Sequence, residues 1–456
     1  MRLVFDRGTL LVRDVPADVD VGDIAGILWD ARVGAYRAPG RLCYPIMSEF
    51  RRRGVQVQDA PCPRLGPPVG FRAVPLRPYQ EAALAAWRLG GRRGIVVLPT
   101  GSGKTRVALA AIAATSTACL CLVPTRALID QWMAALKEFY DGPVGCFGDD
   151  QRVVGPVTIA THAAAYRNMP MLGDRFGLLV VDEAHHFGCG VRDEALEMSI
   201  APLRLGLTAT PPPGPIAARL SVLVGPVVFE LSIGDLTGGF LAPLERTTWR
   251  LRLYPDERRE YDALRDVYRQ ALRAFAGGQF GGSWETFLRH ASRTDEGRRG
   301  IAAWRRAARL LAFPRCKREA LGFLLARHRG QRTLVFVAHN ETAYAVAREH
   351  LIMPLTCDIG RAERQDVLTR FRSGELNALV SAQVLNEGID VPDAEVGIVV
   401  AGRMGEREHV QRVGRLLRPG AGKRAVVHEL VVERSSEVWQ ARRRSKRLAV
   451  RDRSAA

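Results

Sequence analysis

The sequence predicts an α/β protein with two parallel-sheet domains, a small N-terminal α/β domain and a helical insertion. Apolar strand-like runs alternate with helical patterns twice, from about residue 72 to 234 and from about residue 313 to 432. These runs are continuously apolar, which is typical of parallel strands covered by helices on both faces. The 456 residues are too many for one ordinary hydrophobic core, so two to four domains are expected.

The charge balance favours a polyanionic partner. The chain carries 66 basic and 48 acidic residues, which gives a net charge of +18. Such an excess favours nucleic acid over a membrane surface, although arginine-rich genomes also produce basic proteins.

Cysteine spacing and hydropathy predict a cytoplasmic protein without structural zinc. The eight cysteines are scattered and form no CxxC pair, so neither a zinc ribbon nor a disulfide framework is indicated. The N-terminal stretch MRLVFDRGTLLVRD has charges inside its apolar run, unlike a signal peptide. The most apolar long window is broken by Ser and Thr and ends in proline, so no membrane span is expected.

A glycine-rich loop, LPTGSGKT at 98–105, follows the first strand of the first parallel sheet. A strand, a tight loop and a helix N-terminus together form an anion site, because unpaired backbone N–H groups and the helix dipole point the same way. Gly101 and Gly103 let the backbone wrap a phosphate chain. Lys104 supplies charge for the β- and γ-phosphates, and Thr105 offers a hydroxyl to Mg²⁺. The strict GxxxxGK[ST] pattern starts with glycine, whereas this loop starts with leucine.

A second strand, in LLVVDEAHH, runs into an acidic pair. Asp182 stands where a carboxylate would hold Mg²⁺, and Glu183 is placed to orient or deprotonate the attacking water. Adjacent histidines cannot easily share one tetrahedral ion, so His185 and His186 do not indicate zinc.

Together these motifs resemble the DEAH-type superfamily 2 helicases, and further motifs of that superfamily follow in its order. LRPYQEAAL resembles the motif that reads adenine. The resemblance implies two RecA-like motor domains that use ATP and Mg²⁺. The residues expected to bind the nucleotide are Arg77, Gln80, Thr100, Gly101, Ser102, Gly103, Lys104, Thr105, Gly388 and Asp390, and those expected to bind the metal are Thr105 and Asp182.

Other motifs of the superfamily touch the nucleic-acid backbone. VPTRALIDQW, TIATH, TLVFVAHNETA and LVSAQVLNEGIDVPDA match them. The resemblance implies nucleic-acid contacts from Thr125, Arg126, Thr161, Asn340, Ser381 and Gln383. LGLTAT matches the element that couples the two sites, through Thr208 and Thr210.

Three arginines lie three residues apart in QRVGRLLRPG, residues 411–420. On a helix neighbouring ones would reach the same anionic partner. The resemblance implies that Arg415 and Arg418 are arginine fingers that face the γ-phosphate held by the glycine-rich loop, while Gln411 helps to place the water. ATP would then draw the two motors together, and hydrolysis would release them.

Changes in sequence character set the expected domain boundaries. Residues 1–70 form an N-terminal unit in which aromatics are interleaved with arginines, a pattern that suits base stacking and equally suits a small core. The first motor spans 71–234 and the second 235–456, with a helical insertion at about 255–312.

This plan resembles the XPB helicases, in particular their shorter archaeal and bacterial members. In that branch a damage-recognition-like domain precedes the first motor and a helical thumb interrupts the second. WDARVGAYRAP, GFLAP and SAQVLNEGIDVPDA carry the match. The resemblance implies an ATP-dependent DNA translocase or helicase of 3′ to 5′ polarity, acting in repair on single-stranded or forked DNA, often beside a nuclease partner.

One departure concerns strand separation. XPB relatives carry an Arg-Glu-Asp triplet just after Thr-Ala-Thr, whereas this chain has PPPGP at 211–215. Prolines fix φ and remove N–H donors, so this loop is stiff and uncharged. We therefore expect DNA-stimulated ATPase with weak or partner-dependent unwinding.

Two other functions stay open at this stage. The motor motifs also fit a DEAH-type RNA helicase, although no RNA-binding module is recognisable. They equally fit the motor subunit of a restriction or defence complex. A structural DNA-binding protein with an inactive motor conflicts with the intact Lys104, Asp182 and Glu183.

Overall fold

The structure is a computed structural model, and three sheets organise it. None of its described helices is long and apolar enough to cross a membrane. The structure describes residues 1–16, 19–148, 151–236, 240, 243–276, 284–356, 358–382, 394–400 and 425–448.

The N-terminal domain is a four-stranded antiparallel sheet covered by one helix. The strand order is β1-β2-β4-β3. Trp29 packs edge-on against Tyr36, with 5.0 Å between ring centroids, and its side chain stays 58% exposed. The elements are β1 (Arg2–Asp6), β2 (Thr9–Arg13), β3 (Leu28–Asp30), β4 (Ala35–Pro39) and α1 (Cys43–Arg52).

This small domain packs closely against the first motor. Ile200 of the motor belongs to the apolar core of the N-terminal domain. Gly40 lies so close to the motor that an added Cβ would come within 2.4 Å of the Met198 carbonyl oxygen. Arg41 and Glu197 form an ion pair beside this contact. A shared core and a backbone approach that only glycine permits make the two domains one packed unit.

The first motor is built on an eight-stranded sheet. The strand order is β12-β5-β11-β10-β6-β9-β7-β8, and every pair is parallel except β7 with β8. The elements are α2 (Pro78–Leu89), β5 (Arg93–Val97), α3 (Lys104–Thr115), β6 (Cys119–Val123), α4 (Arg126–Phe139), β7 (Val144–Gly148), β8 (Gln151–Val153), β9 (Val157–Thr161), α5 (His162–Leu172), β10 (Leu178–Asp182), α6 (Glu194–Glu197), β11 (Leu203–Thr208), α7 (Gly214–Leu223) and β12 (Val227–Glu230).

A fully buried arginine fixes the start of β11. The Arg204 guanidinium donates to the carbonyl oxygens of Ala201, Leu196, Ser199 and Leu223, at 2.5 to 3.0 Å. Burial lowers the pKa of Arg204 to about 9. Four carbonyl partners replace the water that this buried cation has lost, so β11 and the ends of α6 and α7 are held together.

Within the described residues, the second motor has a sheet of six strands, and all of its strand pairs are parallel. The strand order is β13-β18-β17-β14-β16-β15. The elements are α8 (Ile233–Leu236), β13 (Leu244–Leu251), α9 (Pro255–Ala276), α10 (Trp284–Ala291), α11 (Asp295–Ala312), α12 (Arg315–Arg327), β14 (Thr333–Phe336), α13 (Asn340–His350), β15 (Met353–Leu355), α14 (Arg361–Ser373), β16 (Ala378–Ser381), β17 (Val396–Val399), β18 (Ala425–Val432) and α15 (Ser436–Leu448).

The predicted α/β class with two parallel sheets is confirmed. Helices α9, α10 and α11 lie where the sequence predicts a helical insertion. They interrupt the second sheet, because β13 precedes them in the chain and pairs with β18 near its end. A buried ion pair between Lys317 and Glu437, 2.7 Å apart, joins α12 to α15.

A chain of ring hydrogen bonds in the second motor predicts that this motor loses stability in acid. Trp249 Nε1 donates to His428 Nδ1 at 3.1 Å, so the His428 proton sits on Nε2, which lies 2.8 Å from His328 Nε2. Burial, then the charges of His328 and Arg327, lower the pKa of His428 to about 4. A depressed histidine pKa means that the unfolded chain binds the proton first. The free energy of unfolding is therefore at its full value above about pH 6.5. It decreases by about 1 to 3 kcal/mol as the pH falls towards 4.

Urea unfolding of the full chain at pH 7 and pH 5 measures this loss. The variant His428→Gln has no ring to titrate, so its second-motor transition is expected to shift less between the two pH values. Equal shifts in wild type and variant would contradict the assignment.

Candidate nucleotide and nucleic-acid site

The carboxyl edge of the first sheet gathers the predicted site residues of the first motor. Strands β5, β11, β10, β6 and β9 are neighbours in that order. The loops that follow them carry the glycine-rich loop, Thr-Ala-Thr, the acidic pair, Thr125 with Arg126, and Thr161, in the same order. Strands lie about 4.8 Å apart, so these five ends span about 19 Å. Open parallel sheets bind their ligands at this edge.

The glycine-rich loop ends at a helix N-terminus that is open to an anion. Gly103 is the residue before α3 and has a left-handed backbone, with φ of +79°. A Cβ there would lie 2.5 Å from Gln80 Nε2, so both conformation and space require glycine. No side chain in the described part of the chain caps the first turn of α3, which leaves its N–H groups available to a phosphate.

Two side chains of α2 hold this loop through hydrogen bonds. Gln80 Nε2 donates to the Ser102 carbonyl oxygen at 2.8 Å, and the Tyr79 hydroxyl donates to the same oxygen at 2.7 Å. The Arg77 backbone N–H donates to Gln80 Oε1, also at 2.8 Å. The adenine contacts of Arg77 and Gln80 stay a prediction, and the structure adds that Gln80 orders the phosphate loop.

The acidic pair lies at the end of β10. Asp182 is buried, and its two carboxylate oxygens accept from different donors: Oδ1 from the Glu183 backbone N–H at 2.9 Å, and Oδ2 from Trp132 Nε1 at 3.0 Å. Burial and the neighbouring Glu183 charge raise the pKa of Asp182, while Lys104 opposes them. The site therefore carries a negative charge that a cation would stabilise.

Glu183 has a strained backbone and a histidine partner. Its φ is +47°, in the left-handed region that residues other than glycine seldom adopt. Burial acts to raise the pKa of its carboxyl, but His185, Lys104 and His186 outweigh burial and lower it. His185 Nδ1 lies 3.4 Å from Glu183 Oε2 and 3.0 Å from Thr208 Oγ1. The ring therefore links the acidic pair to the Thr-Ala-Thr element.

The side-chain oxygens near the glycine-rich loop and the acidic pair are of the kind that binds Mg²⁺. Three buried side-chain oxygens lack a hydrogen-bond partner among the described residues, namely Thr100 Oγ1, Glu183 Oε2 and Thr210 Oγ1. Like the Asp182 carboxylate and the Thr105 hydroxyl, these are hard oxygen donors, the type of ligand that magnesium prefers. In the described part of the chain, no group of three or more His, Cys, Asp or Glu side chains is arranged to hold one metal ion.

The three predicted nucleic-acid residues of the first motor lie at the starts of two helices. Thr125 is the residue before α4, and exposed Arg126 is its first residue. Thr161 precedes α5, where its Oγ1 accepts from the Ala164 backbone N–H at 3.1 Å. These threonines thus stand at helix N-termini, which favour phosphate oxygens.

The second motor places two of its predicted residues after neighbouring strands. Asn340 begins α13 and donates to Asp358 Oδ2 at 3.0 Å. Ser381 ends β16 and is fully buried. The predicted residues Gln383, Gly388, Asp390, Gln411, Arg415 and Arg418 lie outside the described residues.

Sequence reasoning missed the aromatic groups that hold Asp182. Trp132 and His162 lie within the motifs VPTRALIDQW and TIATH, which assign them no role. In the structure His162 is buried and its Nε2 donates to the Asp182 carbonyl oxygen at 3.1 Å. Burial lowers the pKa of His162 to about 3, so the ring is neutral. A periodic pattern places such rings in a core, but it does not reveal which atom an N–H group reaches.

Family models match three parts of the chain. The model described as Xeroderma pigmentosum group B helicase damage recognition domain matches residues 3–60. The model described as Type III restriction enzyme, res subunit matches residues 73–213, and the one described as helicase conserved C-terminal domain matches residues 316–420.

Curated relatives and a solved structure agree with these matches. The DNA 3'-5' translocase XPB2 of Sulfurisphaera tokodaii is 31% identical over 92% of this chain and 95% of its own length. The DNA 3'-5' helicase XPB of Mycobacterium tuberculosis is 29% identical over 82% of this chain and 64% of its own length. The Hef helicase domain of Pyrococcus furiosus matches at a TM-score of 0.52 and 19% identity, over 80% of this chain and 98% of that one, which supports the fold alone.

Proposed function

Because this chain belongs to the XPB family of superfamily 2 DNA helicases, we propose that it is an ATP-driven DNA translocase of 3′ to 5′ polarity that serves repair. Relatives named as helicase or translocase support the DNA substrate. The match to the damage recognition domain supports a role beside damaged DNA.

One observation carries this proposal. The phosphate loop, the Thr-Ala-Thr element, the acidic pair and three predicted DNA-contact residues lie at five consecutive strand ends of a single sheet. A change of charge at the nucleotide therefore acts about 19 Å or less from the DNA-contact loops, through strands that are hydrogen-bonded to one another. Such an edge couples ATP turnover to DNA contact.

The chain's own groups divide the ATP chemistry among them. Lys104 and the N–H groups at the start of α3 bind the phosphates, and Gln80 holds the loop in shape. Glu183, kept ionised by its neighbours, accepts hydrogen bonds from the attacking water and orients it. Thr105 and Asp182 would hold Mg²⁺, which when bound supplies positive charge to the β- and γ-phosphate oxygens.

Loss of the loop lysine tests the phosphate assignment. Lys104→Ala removes a cation that lies at the N-terminus of α3. We expect the turnover of ATP on DNA to fall about 10²- to 10³-fold, as when one charge-stabilising donor is removed. Arg106→Ala, two residues further along α3, removes an exposed pair with Glu138 and is the matched control. Undiminished turnover in Lys104→Ala would refute the loop assignment.

The proline run predicts weak strand separation. Pro211, Pro212 and Pro213 lead from Thr-Ala-Thr into α7, with Gly214 at φ of +60°. This connection carries no charge with which to hold a displaced strand. We expect the purified chain to displace streptavidin from the 5′ end of a biotinylated single strand while it unwinds a forked duplex poorly. Displacement from the 3′ end instead would contradict the polarity, and robust unwinding would contradict the role of the loop.

The match to a restriction-enzyme subunit favours one second candidate. That match is confined to residues 73–213, within the first motor, whereas the damage recognition match at residues 3–60 favours the repair function. A restriction motor would hydrolyse ATP only with its partner subunit.

An RNA helicase would be stimulated by RNA rather than by single-stranded DNA. A nuclease partner, which the resemblance implies, stays a prediction.

A further inference from the structure

Two buried rings connect the DNA-contact elements to the residue proposed to hold the metal. Trp132 lies in α4, about 9 Å along the helix from Arg126 at its start. Its indole N–H donates to Asp182 Oδ2 at 3.0 Å. His162 is the first residue of α5, directly after Thr161, and its Nε2 donates to the Asp182 carbonyl oxygen at 3.1 Å. Both helices of the first motor that are predicted to touch DNA therefore also donate a hydrogen bond to Asp182.

Both rings are held too tightly to move independently of their helices. Trp132 and His162 are each 1% exposed. His162 packs edge-on against Phe187, with 4.7 Å between ring centroids. Buried side chains in a close-packed interior shift together with the backbone that carries them. A small displacement of α4 or α5 on DNA is therefore passed to Asp182.

We infer that Trp132 and His162 are positioning residues that set the Asp182 carboxylate for Mg²⁺ in response to DNA bound at the starts of α4 and α5. The inference rests on the proposed function, since it needs both DNA binding and a metal at Asp182. The indole N–H occupies one carboxylate oxygen and fixes the plane of the group. Groups that orient a metal ligand in this way change metal affinity or activity about 10- to 100-fold when they are removed.

The chain offers a matched control for the tryptophan. Trp87 is also fully buried in the first motor, and its Nε1 donates to the Arg204 carbonyl oxygen at 2.9 Å. Trp87→Phe therefore loses the same kind of hydrogen bond as Trp132→Phe, at a place that does not touch Asp182. A general loss of packing would affect both variants alike.

The first measurement is the Mg²⁺ dependence of nucleotide binding, without turnover. Mg²⁺ is titrated into a mixture of the full chain and a fluorescent, methylanthraniloyl-labelled ADP, and binding of the labelled ADP is followed by its fluorescence. We expect the half-saturating Mg²⁺ concentration to rise about 10- to 100-fold in Trp132→Phe and to stay at the wild-type value in Trp87→Phe. An unchanged Mg²⁺ requirement in Trp132→Phe, or an equal rise in both variants, would overturn the inference.

The second measurement is the ratio of ATP turnover with and without single-stranded DNA. We expect this ratio to fall towards one in Trp132→Phe and in His162→Phe. His162→Gln restores a side-chain N–H donor and is expected to regain part of the ratio. A wild-type ratio in Trp132→Phe would overturn the inferred link from bound DNA to Asp182, even if the Mg²⁺ requirement had risen. A wild-type protein that DNA does not stimulate would instead refute the proposed function, so the two failures are distinguishable.

Discussion

Replacing Arg415 by alanine is expected to lower ATP turnover about 10³- to 10⁵-fold while ATP binding stays nearly intact. The reason is that an arginine finger stabilises the charge that develops on the transferring γ-phosphate, and contributes little before that charge develops. The sequence supplies the assignment, because Arg415 matches the family's arginine motif. The segment that contains it joins β17 to β18, which are neighbouring inner strands of the second sheet.

Arg412→Ala is the matched control for this prediction. Arg412 lies three residues earlier in the same motif, and the resemblance names Arg415 and Arg418, but not Arg412, as the fingers. Turnover at saturating ATP, together with the affinity for a non-hydrolysable ATP analogue, separates the two variants. Equal losses in both, or lost nucleotide binding in Arg415→Ala, would show that the effect is not that of a finger.

Replacing Glu183 by glutamine is expected to lower turnover about 10²- to 10⁴-fold, the range for a positioned general base. Glutamine has the same size and can still contact His185. It lacks the negative charge of the Glu183 carboxylate, which His185, Lys104 and His186 keep ionised. ATP binding should survive, because neither the phosphate loop nor the Asp182 carboxylate is altered. The variant should therefore hold ATP unhydrolysed on DNA.

Glu197→Gln provides the control for Glu183→Gln. Glu197 is a glutamate of the same motor that pairs with Arg41 and Arg219, away from the phosphate loop. Its replacement should leave turnover unchanged. Rapid-quench measurements of bound ATP and ADP test the pair, and accumulation of ADP on Glu183→Gln would contradict a role in the hydrolytic step.

The sequence was informative wherever a local pattern determines structure. Continuous apolar strands, a glycine loop and an acidic pair predicted the two parallel sheets and the phosphate site. Five short or half-exposed strands were not predicted, because their side chains form no long apolar run: β7, β8, β12, β13 and β15.

Contacts between distant parts of the chain were beyond sequence reasoning. The Trp132 indole reaches a carboxylate 50 residues away, and His185 joins Glu183 to Thr208 across two strands. Buried Arg204 likewise donates to the carbonyl oxygen of Leu223, 19 residues away, in addition to three carbonyl oxygens that lie within eight residues of it. Such contacts depend on side-chain direction in three dimensions, which periodicity does not encode.

The central claim is that hydrolysis at the glycine-rich loop is driven by DNA held along the same sheet edge. The direct measurement is the turnover of ATP by the wild-type chain at saturating ATP and Mg²⁺, alone, with single-stranded DNA and with RNA of matched length. A several-fold rise with DNA, absent with RNA and absent in Lys104→Ala, is the result that we predict. Turnover that is the same with and without DNA would contradict it.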